Sequence, residues 1–287
     1  MASLKEVKGR IASVNNTRKI TSAMKMVASA KLHKAQAAIE SMLPYERRLH
    51  HILTDFMSNC TEVTSPFIVK REVKKVAVVV FASNTSLCGG FNANVIRHLV
   101  DLLAEYKPLG LENILVFPVG KKVADAVRKL GFRIEGDFQH MADKPSYQEA
   151  ADLAADLMKR FLHGDVDKVE LLYNHFKSTA SQILTRETYL PIALNNEKKE
   201  EERTIDYILE PSAEELMQEM LPKVLRMKMF TVLLDSNAAE HAARTMAMQI
   251  ATDNANELLQ ELTVMYNKSR QQSITNELLD IVGGSMA

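Results

Sequence analysis

Few residues in this sequence stand at spacings that do chemistry. Ser86-Leu-Cys-Gly-Gly-Phe-Asn92 follows a β-branched apolar run. A glycine-rich turn between a strand and a helix can cradle phosphate on its backbone N–H groups. The spacing matches neither G-x-G-x-x-G nor G-x-x-x-x-G-K-[ST], so a tight turn packing strand on helix is favoured. Gly120-Lys121-Lys122 opens a second helix, where N–H groups and lysines could converge on an anion; an ordinary strand-to-helix turn is again the simpler reading. Cys88 could act as a nucleophile, yet no histidine is near it in the chain, and a lone cysteine at a strand end is more often a small buried residue. The 8 histidines show neither H-E-x-x-H nor Cys/His metal spacing. Asp152/Asp156 and Glu214/Glu215 fall on polar helical faces and read as solvated. On the residues alone, none of these spacings favours a catalytic, cofactor-binding or metal site.

The elements that would position these residues are unequal. No glycine lies between Gly9 and Gly89, or between Gly164 and Gly283. Two long arms thus lack the residue that most often ends helices. Residues 3–57 read as one helix of roughly 80 Å, with Ser3 and Glu6 at capping-box spacing. Leu4, Val7, Ile11 and Val14 step by three and four, a coiled-coil seam. Arg18 then occupies a seam position, and the apolar stripe resumes one step over at Ile20, Met24 and Val27, then Leu32, Ala35, Ile39 and Met42. Such a break is a stutter. Pro44 is expected to kink this arm.

Between the arms, residues 73–82, 113–119, 132–138, 169–177 and 182–190 read as strands. Residues 91–106, 120–130 and 146–162 read as helices, the last capped by Ser146 and Glu149. Alternation at this spacing implies a Rossmann-like, mostly parallel α/β sheet with right-handed crossovers, and its last two strands pair as an antiparallel edge. Residues 195–203 are a charged loop and 205–209 a further short strand. Ser212 and Glu215 cap the second arm, which Pro222 kinks or splits. Val224, Met227, Thr231, Leu234 and Ala238, then Met248, Ala251, Ala255, Leu258, Leu262 and Met265, form its stripe. At roughly 100 Å it outreaches an α/β unit about 40 Å across. The arms are therefore expected to pair as an antiparallel coiled coil rather than fold back on the centre, with part of the longer one projecting. The divisions are 1–57 and 212–287 for the coiled-coil helices and 73–210 for the central α/β domain.

The chain has 287 residues, with 36 Lys+Arg and 36 Asp+Glu. Zero net charge argues against a bulk nucleic-acid binder. Cys60 and Cys88 are too few for a disulfide scaffold. The longest apolar run, residues 76–82, is too short to cross a membrane, and the amino terminus lacks the apolar stretch of a signal peptide. The charge is uneven, however. Residues 1–34 carry eight basic side chains against Glu6 alone, a local +7. An acidic protein, a nucleic acid, an anionic lipid and plain solvent all suit such a face.

The two ends carry a resemblance. The stretch from Ile11 to Ala28, Ile-Ala-Ser-Val-Asn-Asn-Thr-Arg-Lys-Ile-Thr-Ser-Ala-Met-Lys-Met-Val-Ala, resembles the amino-terminal motif of the gamma subunits of bacterial F-type ATP synthases. Ala251-Thr-Asp-Asn254 and Tyr266-Asn-Lys-Ser-Arg-Gln-Gln-Ser-Ile-Thr-Asn-Glu277 resemble the carboxyl-terminal one, and the 86–92 turn matches the turn after the family's first strand. The family's terminal signature usually ends Gly-Ala, where this chain has Gly284-Ser285. The resemblance implies a non-catalytic central rotor stalk that binds no nucleotide or other cofactor. Its partners would be the alpha and beta subunits of the F1 hexamer, the epsilon subunit and the c-ring. It would lie peripherally at the cytoplasmic face of a bacterial membrane, held there through the Fo sector only. It further implies that Met24, Lys25, Arg270, Gln271 and Thr275 meet beta, and no inserted cysteine pair for thiol control is visible. From the residues alone, a nucleotide-dependent α/β enzyme with helical dimerisation arms and a coiled-coil adaptor both stay open. Saturable nucleotide binding would mark the first, and self-association the second.

Overall fold

The computed structural model describes residues 3–59, 65–192 and 213–285. The expected loop at 195–203, the strand at 205–209 and the Ser212 cap lie outside them. Helix α1 spans Leu4–Asn59 and helix α6 Ala213–Ser285, roughly 85 and 110 Å at 1.5 Å per residue. The Ser3 hydroxyl accepts the Glu6 N–H at 3.2 Å, so the first cap forms as its residue types require. Both helices continue through their prolines, Pro44 and Pro222.

Between them lie β1 (Val76–Phe81), α2 (Phe91–Tyr106), β2 (Ile114–Val119), α3 (Lys121–Leu130), β3 (Arg133–Ile134), α4 (Gln139–Asp143), α5 (Tyr147–His163), β4 (Lys168–Ser178) and β5 (Ser181–Leu190). The sheet order is β3-β2-β1-β4-β5, parallel except for the antiparallel β4–β5 hairpin. The expected 132–138 strand shrinks to two residues, and α4 follows it unforeseen. Ser146 precedes α5 in extended conformation but caps nothing with its hydroxyl; Glu149 turns to His140 instead.

The sheet is covered on both faces, as its continuously apolar central strands demand. Val76, Val78 and Val80 face α2 and α3. Ala77, Val79 and Phe81 face the other layer, which holds α5 and, packed beside it, Met217, Leu221, Leu225, Met229, Val232 and Leu233 of α6. The long helix therefore does fold into the central unit. Its lower part contributes a full buried side to this core, at about 1.5–3 kcal/mol per large apolar side chain. This overturns the expectation that the arms stay clear of the centre. Length forbids containing the whole of the helix, not building its lower end in.

Above the sheet the two helices pair antiparallel. Arg18 Nη1 donates to Asn256 Oδ1 at 3.3 Å and Thr252 Oγ1 to Thr21 Oγ1 at 2.9 Å; lower down, Leu32 and Ala35 pack on Ala238 and Ala242. The seam of α1 runs Val7, Ile11, Val14, Arg18, Thr21, Lys25, Ala28, Leu32, Ala35, all buried or half-buried. Its steps alternate four and three without a break, so the stutter expected at Arg18 is absent. Ile20 and Val27, taken as the resumed stripe, are 60% and 59% exposed. The reading failed because it equated apolar with inward. The seam here keeps its register through polar residues that pair across it, while apolar residues line the outside.

Candidate functional site

The 86–92 segment is a joint. Leu87 and Gly89 adopt positive φ of 68° and 59°, which brings Gly89 against Ala247 of α6. Cys88 is buried with Phe91 against Ala239, its thiol in contact with Ser83 and Asn92. The Asn92 amide and the Ser83 hydroxyl bond each other and tie back to the Thr85 carbonyl. The turn thus spends most of its polar groups on itself, gives its Thr85 hydroxyl to Arg244, and packs on the long helix.

Gly120 has φ 113°, and a Cβ there would lie 2.1 Å from the Ala82 carbonyl oxygen. The requirement is steric, set by contact with the end of β1. The first N–H groups of α3 are already used, Lys121 N donating to Asn84 Oδ1 at 2.8 Å and Lys122 N to Ser83 O at 3.2 Å. The first two donors of this helix end are thus spent within the chain. On α5, Asp152 accepts from Gln148 and Asp156 from Arg160, and Glu215 is exposed.

In doubly wound sheets ligands settle at the carboxyl ends of the strands, where the order reverses; here that is between β1 and β4. α6 crosses this ground. Asp235 bonds the far end of β4, and Ser236, Asn237 and Glu240 come down on Phe81 and Ala82 at the end of β1 and Val119 at the end of β2, leaving a void of about 10 Å³, room for roughly one water. Glu240 is 4% exposed and pairs with Arg244 at 2.6 Å. Burial pushes its carboxyl above the usual range, and Arg244 only partly opposes this. Burial, then Arg244 and Lys31, push His241 down to about 4, so it sits neutral in the joint. This network was not foreseen. Its only sequence signal is polar Glu240, His241 and Arg244 on an otherwise apolar helical stretch.

What remains exposed is the shaft. Register places Ser3 of α1 near Arg270 of α6, so the last turns of α6 project alone. There Ile274, Leu278, Leu279, Ile281 and Val282 are exposed, between 48% and 68%. Lower down, Ile20, Met26 and Val27 face outward among Lys5, Lys8, Arg10, Lys19, Lys31 and Lys34. Of the nominated contact residues, Met24 and Lys25 are half-buried on α1, and Arg270, Gln271 and Thr275 are exposed near the tip of α6. Met24 and Lys25 lie beside about residue 249 of α6, so the two groups are separated by roughly 30 Å of helix. They make two stations along one rod.

A family model described as ATP synthase matches residues 3–287. The chain is 82% identical over 289 residues to the ATP synthase gamma chain of Phocaeicola vulgatus, spanning 100% of both. It is 64% identical over 290 residues to that of Bacteroides fragilis, again 100% of both. Among solved structures it resembles a chain of the Euglena gracilis mitochondrial ATP synthase OSCP/F1/c-ring assembly, with TM-score 0.62 and 20% identity over 99% of this chain and 93% of that one. It also resembles a chain of the Tetrahymena thermophila mitochondrial ATP synthase central stalk and c-ring, with TM-score 0.56 and 23% identity over 81% and 99%. At those identities the structural likeness speaks for the fold.

Proposed function

This chain belongs to the ATP synthase gamma-chain family, and we propose that it is the central rotor stalk of an F1Fo ATP synthase, a non-catalytic subunit that couples ion flow to the beta catalytic sites. The observation that carries the reading is the shape of the chain ends. A stiff antiparallel pair rises from an α/β foot, and one helix outruns the other to finish in an exposed apolar tip. An apolar end of this kind needs a socket in water. The alpha and beta subunits of the hexamer supply it in this reading, while the foot meets the epsilon subunit and the c-ring.

Rotation drives three sites through different states only if the shaft is uneven around its axis. The unevenness comes from the projecting single helix and from the outward basic and apolar face of α1. Met24 and the seam residue Lys25, both half-buried, meet beta where they border that face, whose exposed lysines suit an acidic partner segment. Arg270, Gln271 and Thr275 meet beta near the tip. Among the described residues no helix is long and apolar enough to cross a membrane. In this reading the chain lies peripherally at the cytoplasmic face and is held to the membrane only through Fo. In this reading it binds no nucleotide, and the passage of α6 across the carboxyl ends of the strands supports that. A nucleotide-dependent enzyme is disfavoured by that same passage.

Purification of the complex from membranes tests the reading. The chain should comigrate with alpha and beta subunits, and its recovery free of any hexamer would overturn it. For the contacts, Met24→Lys should lower ion pumping per ATP hydrolysed in assembled complexes. Unchanged coupling with lost assembly would refute that assignment.

A further inference from the structure

The rotor reading requires that torque pass between foot and shaft, and this inference rests on it. The hydrophobic effect is non-directional and by itself fixes no angle about a helix axis. Hydrogen bonds have fixed directions and lengths. Between residues 235 and 244, α6 makes directional side-chain bonds to three separate elements of the foot. Asp235 uses both carboxylate oxygens on β4. Its Oδ1 accepts the Phe176 backbone N–H at 2.8 Å, and its Oδ2 meets His175 Nδ1 at 2.7 Å. Asn237 Nδ2 donates to the Ala142 carbonyl on α4 at 2.8 Å. Arg244 Nη2 donates to Thr85 Oγ1 in the turn after β1 at 2.9 Å.

The angular positions of these residues matter. At 3.6 residues per turn, Asn237 and Arg244 lie about 200° and 180° around the helix from Asp235. The foot therefore grips α6 from two opposite sides, with the β4–β5 hairpin on one and α4 with the β1 turn on the other. Two opposed tangential contacts on a rod form a couple, which turns the rod without shifting it. A single contact would let it pivot. The geometry points to Asp235 and Asn237 as positioning residues that, set against each other across α6, act as the two jaws of a wrench carrying torque between foot and shaft. Asp235 is the more demanding jaw. It is mostly buried, with a side chain 16% exposed, and one of its partners is backbone, which no rotamer change can withdraw.

The test uses the assembled hexamer with this chain, immobilised through the hexamer, with a bead on the foot. Angular fluctuation of the bead in the ATP-waiting pause reports torsional stiffness. The double variant Asp235→Ala/Asn237→Leu should widen the angular variance at least twofold. In whole complexes it should lower ion pumping per ATP while the hydrolysis rate changes less than twofold. Asp235→Glu, which keeps both acceptor oxygens, should recover most of the stiffness. A merely structural role would lower the melting temperature yet leave variance and coupling at parental values, and that result overturns the inference. Should the double variant not assemble, Asp235→Asn, equal in size and lacking one acceptor, is read by the same variance, with the same two outcomes. A parental chain that never rotates as a unit would instead overturn the rotor reading, so the two failures are distinct.

Discussion

The lower and upper parts of α6 are one continuous helix in two different environments. From Met217 to Arg244 it is wrapped by sheet, α5, α4 and α1, and Leu221, Met229, Ala238, Ala239 and Ala242 are fully buried. From residue 245 upward, among the described residues only Met248, Ala255 and Leu262 are buried, at heptad-like steps. The lower part belongs to a globular core, where stability comes from area and close packing. The upper part is a rod with one seam, whose other faces are left for something outside the chain. The same helix is thus fixed at one end by its own protein and at the other by a partner.

That contrast is open to attack by substitution in the isolated chain. Phe161→Ala empties a fully buried site between α5 and the sheet and should cost about 4 kcal/mol in urea unfolding. A loss below 1 kcal/mol would mean the foot is far looser than its packing implies. Gly120→Ala should cost at least ~3 kcal/mol, from the unfavourable φ and the collision with Ala82. Tolerance of alanine there would break the account of the β1–α3 joint.

The joint also carries a pH dependence. His241 has its folded value lowered to about 4, through burial first and then Arg244. Below the ordinary value of about 6.5 the unfolded chain takes up a proton that the folded chain refuses. Stability should therefore be full above that point and fall as pH drops toward 4, with a ceiling of ~3 kcal/mol. Glu240, raised by its burial, binds protons more readily when folded and offsets part of this loss. His241→Gln should flatten the melting temperature against pH across that window; an unchanged slope would show that the histidine is not held neutral. Smallest of all, Leu278→Ala at the exposed tip should shift isolated-chain stability by less than ~0.5 kcal/mol. It should weaken association with the hexamer instead, measured by coelution. A large loss of intrinsic stability there would erase the distinction between the two ends.

Much of the foot was legible from its residues. The run from Val76 to Phe81 is apolar at every position and can only be a strand covered on both faces. Helix α2 has the bounds its periodicity implies, and Gly131 ends α3 in left-handed conformation. Helix α4 was missed because five residues carry no period. The seam was misjudged between Arg18 and Val27 because a rod in a socket has apolar residues on two faces, and periodicity cannot rank them. Thr21 and Arg18 sit inward through partners on α6, information held in neither helix alone. The couple at Asp235 and Asn237 was likewise invisible, since its partners stand 60 and 95 residues away.

By itself the sequence determined the stiff arms, through the lack of glycine between Gly9 and Gly89 and between Gly164 and Gly283, and the α/β centre, through β-branched runs spaced by amphipathic helices. Both are local properties, written in propensity and period. Only the tertiary structure decided which face of each arm turns inward, that α6 fills the strand-end crevice, and which polar residues of α6 grip the foot. Those depend on what lies opposite each side chain in space, and burial and pairing exist only once distant segments meet.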